Sequence, residues 1–183
     1  MAENQSANAL SPWWEEYRKR LPAADSHRVE LFVRSRTPVP GAHGRPIDLY
    51  RSLERYVEDD AIDACGVTVL GGKLCLCDGC RALHWETEQL ETVNALRSWR
   101  AGGIQSTGFA EQEVASSVVD EQYTMIVPPE TALGIYVDGT LAGVFPCVSG
   151  RTCYRPEVYL DGLAAGLLGS DTEGETMHSP TDQ

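Results

Sequence analysis

A strand, a helix and a second strand follow one another within residues 29–70, and this order constrains the fold more than any other feature. Residues 29–35, VELFVRS, alternate apolar and polar side chains and predict a strand. Pro46 opens a helix with an apolar stripe at helical spacing, formed by Ile47, Tyr50, Leu53 and Val57. Residues 64–70, ACGVTVL, predict the second strand. Because a helical crossover joins parallel strands, the segment predicts a parallel pair in an α/β fold.

A second helix and a closing hairpin complete the predicted order β-α-β-α-β-β-α. The second helix spans residues 87–100, with Thr87 as its N-cap, and provides a second crossover between parallel strands. Asp138-Gly139 between two apolar runs predicts a β-hairpin, residues 148–152, VSGRT, predict a turn, and residues 156–168 predict the last helix. This order resembles the thioredoxin-like fold, and a ferredoxin-like α+β sandwich is the alternative.

The chain of 183 residues divides into three predicted regions. Residues 1–26 form an amino-terminal tail and a short helix that begins at Ser11 and Pro12. Residues 27–169 form a single α/β domain, which is long enough to bury about two-thirds of its unfolded surface. Residues 170–183 are polar and acidic, and we expect them to be disordered.

The charge of the chain restricts where it works and what it binds. Asp and Glu total 27 against 15 Lys and Arg, which gives a net charge of −12. An acidic surface with few lysines suits a halophile, and it argues against a broad electrostatic contact with nucleic acid. The first 20 residues have no basic start followed by an apolar run and so do not predict a signal peptide, and no apolar run reaches the roughly 20 residues that cross a bilayer. We therefore expect a cytoplasmic protein with reduced cysteines and no membrane contact.

Three of the six cysteines lie within six residues, in the sequence CLCDGC. Together with a histidine they form the pattern C-x-C-x2-C-x3-H, made by Cys75, Cys77, Cys80 and His84. Zinc takes four nitrogen or sulfur ligands in a tetrahedron, so this pattern predicts a structural zinc site. Cys75 and Cys77 would share one face of a strand, and the turn at Asp78-Gly79 would return Cys80 towards them. Replacements for His84 as fourth ligand are Cys65, Cys147 and Cys153.

Two other interpretations of the cysteine cluster stay open. The thiols can be small packing residues at the end of a strand. Alternatively, Cys77 and Cys80 have C-x-x-C spacing and can form a thiol–disulfide redox pair. A thioredoxin-type enzyme carries its pair directly after the first strand, where this chain has no cysteine. The remaining histidines, His27, His43 and His178, are assigned to linker, loop and tail.

The sequence contains no recognisable catalytic motif. It lacks a phosphate-binding loop, the nucleophile motif G-x-S-x-G and the zinc-protease motif H-E-x-x-H. Each predicted helix is followed by a strand, which does not provide the two adjacent helices of a helix-turn-helix motif. We therefore expect a non-catalytic regulatory or interaction protein with a protein partner. A thiol redox protein and a DNA-binding transcriptional regulator are the alternatives.

Three segments resemble an uncharacterised family of small acidic haloarchaeal proteins, several of which are labelled helix-turn-helix domain proteins. The segments are VELFVRS, IDACGVTVLGGKLCLC and YTMIVPPETALGIYVDGTLAGVFPC, and the last is the most specific. With the helices between them, the resemblance covers roughly residues 27 to 168. It implies a haloarchaeal, cytoplasmic protein, and it supplies no catalytic residues.

Overall fold

The computed structural model describes residues 16, 17, 19, 23–34, 45–81, 84–116 and 121–164, with backbone alone for 81, 84–88, 116 and 121. The helices are α1 Arg45–Glu58, α2 Asp78–Arg81, α3 His84–Ser98 and α4 Pro156–Ala164. The strands are β1 His27–Val33, β2 Ala64–Val69, β3 Leu74–Cys75, β4 Ser106–Thr107, β5 Ala110–Ser116, β6 Glu121–Val127, β7 Thr131–Val137, β8 Thr140–Phe145, β9 Cys147–Ser149 and β10 Thr152–Tyr154.

A mixed four-stranded sheet forms the centre of the molecule, in the order β2-β1-β7-β8. β1 and β2 are parallel and are joined by α1, as the sequence predicted. β7 is antiparallel to both β1 and β8. The prediction of a second parallel pair is wrong, because the chain after α3 enters the antiparallel strands of two smaller sheets. These sheets have the orders β10-β9-β4 and β3-β6-β5, and the predicted α/β class is confirmed.

Both faces of the four-stranded sheet are covered. On one face, Val29, Leu31 and Val33 of β1 pack in a cluster with residues of α1 and α4. On the other face, Phe32 packs in a second cluster with α3 and with β3 and β6 of a smaller sheet. The predicted alternation along β1 is therefore confirmed, and its two sets of side chains enter two different hydrophobic clusters.

The hairpin between β7 and β8 has the predicted turn residues. Asp138 and Gly139 have φ values of 51° and 74°, and a type I′ turn requires positive φ at both positions. The carboxylate of Asp138 accepts hydrogen bonds from the backbone N–H groups of Asp25 and Ser26, at 2.8 and 2.9 Å. The turn thereby holds the residues that precede β1.

Several predicted details are wrong for local reasons. Ile47 is 52% exposed rather than in the core, because it lies in the first turn of α1 while Leu49 and Leu53 turn inward. Thr87 is not an N-cap, since α3 begins at His84 directly after α2. The predicted turn over residues 148–152 joins two short paired strands, β9 and β10, whose ends it overlaps.

Other predictions lie outside the described residues. These are the amino-terminal tail, most of the short helix after Ser11, the loop with His43, the end of the last helix and the acidic tail with His178. Glu16, Tyr17 and Lys19 of that short helix are described and are helical. Among the helices that are described, none is both long and apolar enough to cross a membrane.

Candidate metal centre

The cysteine cluster lies where β3 leads into the helix pair α2–α3. Leu74 and Cys75 of β3 pair with Ile126 and Met125 of β6, and the N–H of Leu76 donates to the carbonyl of Thr124 at 2.9 Å. The strand ends there, so Cys77 is outside it and immediately precedes α2. The prediction that Cys75 and Cys77 share a strand face is therefore wrong, because the chain turns into α2.

The turn brings the three thiols together nevertheless. The Sγ atoms of Cys75, Cys77 and Cys80 all lie within 4.8 Å of one another, and all three residues are half-buried. Two sulfur ligands at 2.3 Å from a tetrahedral zinc ion are about 3.8 Å apart, which this separation accommodates. Within the described side chains, these cysteines form the only group of three or more potential metal ligands.

Backbone N–H groups point at the cluster, as they do at thiolate ligands. The N–H of Cys77 donates to Sγ of Cys75 at 3.5 Å. The pKa of the Cys77 thiol is lowered, chiefly by a hydrogen bond from the backbone of Cys80 and further by the thiols of Cys75 and Cys80. The hydrogen bonds to Cys77 and Cys75 raise the pKa of Cys80 to about 12. Of these two thiols, Cys77 is therefore the one that loses its proton more readily.

The proposed fourth ligand and its replacements lie in different places. His84 is the first residue of α3, and its side chain is outside the described residues, so its role stays a prediction. Cys65, Cys147 and Cys153 lie on β2, β9 and β10, and none of them joins the cluster. All six cysteines are in the described part of the chain, and each is a free thiol.

A cavity of about 290 Å³ adjoins the cluster. Cys75 and Cys80 line it together with the apolar side chains of Leu70, Leu74 and Leu90. Cys77 is not part of its wall. Two of the three cysteines thus border a small, mostly apolar space between β3 and α3.

Sequence reasoning missed a second polar cluster, centred on His27. This residue was assigned to a linker, but it is the first residue of β1 and is buried. Its Nε2 lies 2.7 Å from the hydroxyl of Tyr17 and 2.8 Å from that of Tyr159, and the ring also bonds to the backbone of Ala61. The one signal in the sequence is that His27 is in phase with the apolar positions Val29, Leu31 and Val33 of the predicted strand. The two tyrosines come from distant parts of the chain, so no local motif exists.

This cluster predicts acid sensitivity of the fold. Burial lowers the pKa of His27, although the bond to Ala61 and the charge of Asp63 oppose the shift. The unfolded chain then binds a proton that the folded chain does not, between pH 6.5 and the lower folded value. We expect the free energy of unfolding, measured in urea, to fall as the pH drops through this window. His27→Gln should flatten that slope, and an unchanged slope would contradict the assignment.

The helix pair itself corrects a prediction. α2 is followed by α3 with only residues 82 and 83 between them, so the expectation that a strand follows every helix is wrong here. Among residues 89–98, the part of α3 whose side chains are described, the exposed ones are Glu91, Ala95 and Ser98, which carry no positive charge. Arg97 forms an ion pair with Glu111, and Arg100 donates to the carbonyls of Arg97 and Trp99 at 2.8 and 2.6 Å.

Comparison with known proteins gives one result. The sequence profile of a family described as a helix-turn-helix domain matches residues 21–167. No curated protein matches the chain, and no solved structure matches it. The matched segment contains every described strand and helix from β1 to α4.

Proposed function

Because the chain belongs to the helix-turn-helix domain family, we propose that it is a non-catalytic regulatory protein whose interaction surface is held by a zinc ion. The observation that carries this proposal is the convergence of three sulfur atoms within 4.8 Å at the start of α2. Cys75, Cys77 and Cys80 provide three ligands, and His84 is the proposed fourth. Zinc is the metal that such a sulfur-rich tetrahedral set prefers.

The location of the cluster gives the zinc ion a mechanical role. Cys75 is fixed by the pairing of β3 with β6, and Cys80 belongs to α2, which contacts α3. A metal that bonds both residues therefore ties the helix pair to the small sheet. The N–H bond from Cys77 to Sγ of Cys75 supports this role, since such outer contacts orient metal ligands.

The charge pattern around α3 favours a protein partner. Over residues 89–98, where the side chains of α3 are described, the exposed positions are acidic or neutral, and Arg97 is already paired with Glu111. The net charge of −12 repels phosphates, except at salt concentrations that also weaken any counterion-driven binding. A partner with basic or polar side chains fits this surface better than a nucleic acid does.

A DNA-binding regulator is the second candidate, and family membership is the observation that favours it. This candidate requires duplex binding that weakens steeply with added salt and is reduced when Arg97 or Arg100 is replaced. Binding with those properties would mean that the partner is DNA rather than a protein, and it would leave the proposal of a zinc site unchanged.

The setting of the protein is also part of the proposal. The acidic composition, with 13 Arg and 2 Lys, supports a haloarchaeal origin and a cytoplasmic location, where thiols stay reduced.

The order β2-β1-β7-β8, with a parallel first pair and an antiparallel closing hairpin, supports a thioredoxin-like core. In this chain the cluster of Cys75, Cys77 and Cys80 follows the second strand of that sheet, β2, rather than its first strand.

Metal analysis tests the zinc site directly. Untagged protein purified without chelator should contain about one zinc ion per chain by plasma mass spectrometry, because the three cysteines and the proposed ligand His84 would make the four ligands of one tetrahedral ion. Binding at a thousand times the dissociation constant stabilises by about 4 kcal/mol, so a chelator should lower the melting temperature by about 8–16 °C.

Three variants separate the ligands from other cysteines. Cys77→Ser should lose the zinc, whereas Cys153→Ser, which changes an exposed thiol on β10, should keep it. Metal-free wild-type protein with six titratable thiols would refute the proposal. A His84→Ala variant with wild-type zinc affinity would remove His84 from the ligand set and leave the three cysteines in it.

A further inference from the structure

We infer that the zinc centre is a peroxide-operated switch, in which oxidation of Cys77 and Cys80 to a disulfide releases the metal. The inference rests on the proposed zinc site and adds its regulation. It starts from the geometry of the cluster, where three sulfur atoms within 4.8 Å serve equally as metal ligands and as partners for disulfide formation. All three are free thiols, so two of them can supply the two electrons that reduce a peroxide.

The cavity gives a small oxidant a route to the cluster. Cys75 and Cys80 line the cavity, whereas Cys77 does not. A volume of about 290 Å³ admits hydrogen peroxide or a small organic hydroperoxide, which are uncharged and compatible with a mostly apolar wall. Because the three sulfurs lie within 4.8 Å of one another, an oxidant in the cavity is close to both members of the Cys77–Cys80 pair.

The chain geometry selects the disulfide partner. Cys77 and Cys80 are three residues apart at the start of α2, which places their Cα atoms about 5 Å apart and within the range for a disulfide. Cys75 is held by the β3–β6 pairing, and only one residue separates it from Cys77. The ring that a Cys75–Cys77 disulfide would close is therefore short and strained. Cys77 and Cys80 are the pair that closes with the least backbone movement.

The reaction is balanced without a further reagent. The thiolate of one cysteine of the pair attacks one peroxide oxygen, the O–O bond breaks, and sulfenic acid and hydroxide form. The thiolate of the other cysteine then attacks the sulfenic sulfur, forms the S–S bond and expels a second hydroxide. Two electrons pass from the two sulfurs to the peroxide. The zinc ion loses two of its ligands and dissociates, and a dithiol reductant reverses the oxidation.

The consequence lies at the α2–α3 junction. The disulfide joins two residues of a single turn, whereas the zinc ion also bonds Cys75 of β3. Oxidation therefore removes the link between the small sheet and the helix pair. Cys77 and Cys80 stay joined to each other by the disulfide at the start of α2. The interaction surface that includes α3 is held in the reduced, zinc-bound protein and released in the oxidised one.

The test uses the full-length zinc protein and hydrogen peroxide, with a chromogenic zinc indicator and mass spectrometry after alkylation. Trypsin cleaves after Lys73 and Arg81, so all three cysteines fall in one peptide, residues 74–81. We expect one equivalent of peroxide to release the zinc and to leave a single alkylated cysteine, Cys75, in that peptide. A dithiol with added zinc should restore the starting state.

Controls separate this inference from the zinc site on which it rests. Zinc content before peroxide tests the site, and zinc content with the alkylation pattern after peroxide tests the switch. Cys153→Ser should respond like the wild type, and Cys75→Ser should still form the Cys77–Cys80 disulfide. Zinc that stays bound in excess peroxide would overturn the switch but leave the site standing. Release with three alkylatable thiols, or with sulfinic acid in place of a disulfide, would also overturn it.

Discussion

A Leu96→Ala variant is expected to unfold with a free energy about 3–4 kcal/mol below that of the wild type. Leu96 is fully buried in the second cluster, where α3 packs on Phe32 and Val144 of the central sheet. It lies directly over Gly134, because a Cβ atom built at that glycine would be 3.2 Å from Cδ2 of Leu96. Truncation leaves a cavity that neither the sheet nor the helix can fill without moving.

A matched substitution on the same helix isolates this effect. Ala95 is exposed and neighbours Leu96, so Ala95→Gln should change the free energy of unfolding by no more than about 0.5 kcal/mol. Urea titrations of both variants at neutral pH give the comparison, provided that their m-values agree. If Leu96→Ala lowered the free energy of unfolding by less than about 1 kcal/mol, α3 would not pack on the central sheet as described.

A Gly108→Ala variant is expected to lose about 2–3 kcal/mol, because an added methyl group overpacks a rigid contact. A Cβ atom at Gly108 would lie 2.4 Å from Cγ of Pro146, and a proline ring cannot rotate away. The N–H of Gly108 also donates to the carbonyl of Pro146 at 2.9 Å, which keeps the two segments in register. The methyl group therefore has to push the β8–β9 connection away from residues that follow β4.

Gly72→Ala is the control for this second substitution. A Cβ atom at Gly72 meets nothing within 4 Å, so the change should leave the melting temperature unaltered or raise it slightly. A rise is expected because alanine has less conformational entropy to lose than glycine when the chain folds. Thermal unfolding followed by circular dichroism measures both variants. Equal melting temperatures for Gly108→Ala and wild type would mean that the Pro146 contact is not kept in solution.

The parts of the fold that could be predicted are those with strong local patterns. The strand–helix–strand unit and the Asp138-Gly139 hairpin are of this kind, because alternation and turn chemistry act over a few residues. Strands of two or three residues, such as β3, β9 and β10, carry no pattern of their own. They exist because a distant strand supplies their hydrogen bonds, and a sequence does not display that pairing.

Of the two side-chain clusters, the cysteine cluster could be predicted from the sequence and the His27 cluster could not. The spacing of Cys75, Cys77 and Cys80 within one short segment was enough to bring their sulfurs together, even though the predicted strand was a turn. The environment of His27 was not predictable, since Tyr17 and Tyr159 reach it from 10 and 132 residues away. Histidine next to a predicted strand edge gives no sign of burial until the helices that cover it are placed.

The order of the central sheet has a consequence for the chain as it leaves the ribosome. β1 precedes every other described strand, yet it lies between β2 and β7 and is covered by α4. Tyr159 of α4 follows His27 by 132 residues, which takes roughly 7–26 s to synthesise at about 5–20 residues per second. One edge of β1 has no partner until β7 has been synthesised, and its apolar side chains stay incompletely covered until α4 follows. The first strand of the chain therefore completes its contacts only when the last helix of the sheet has been made.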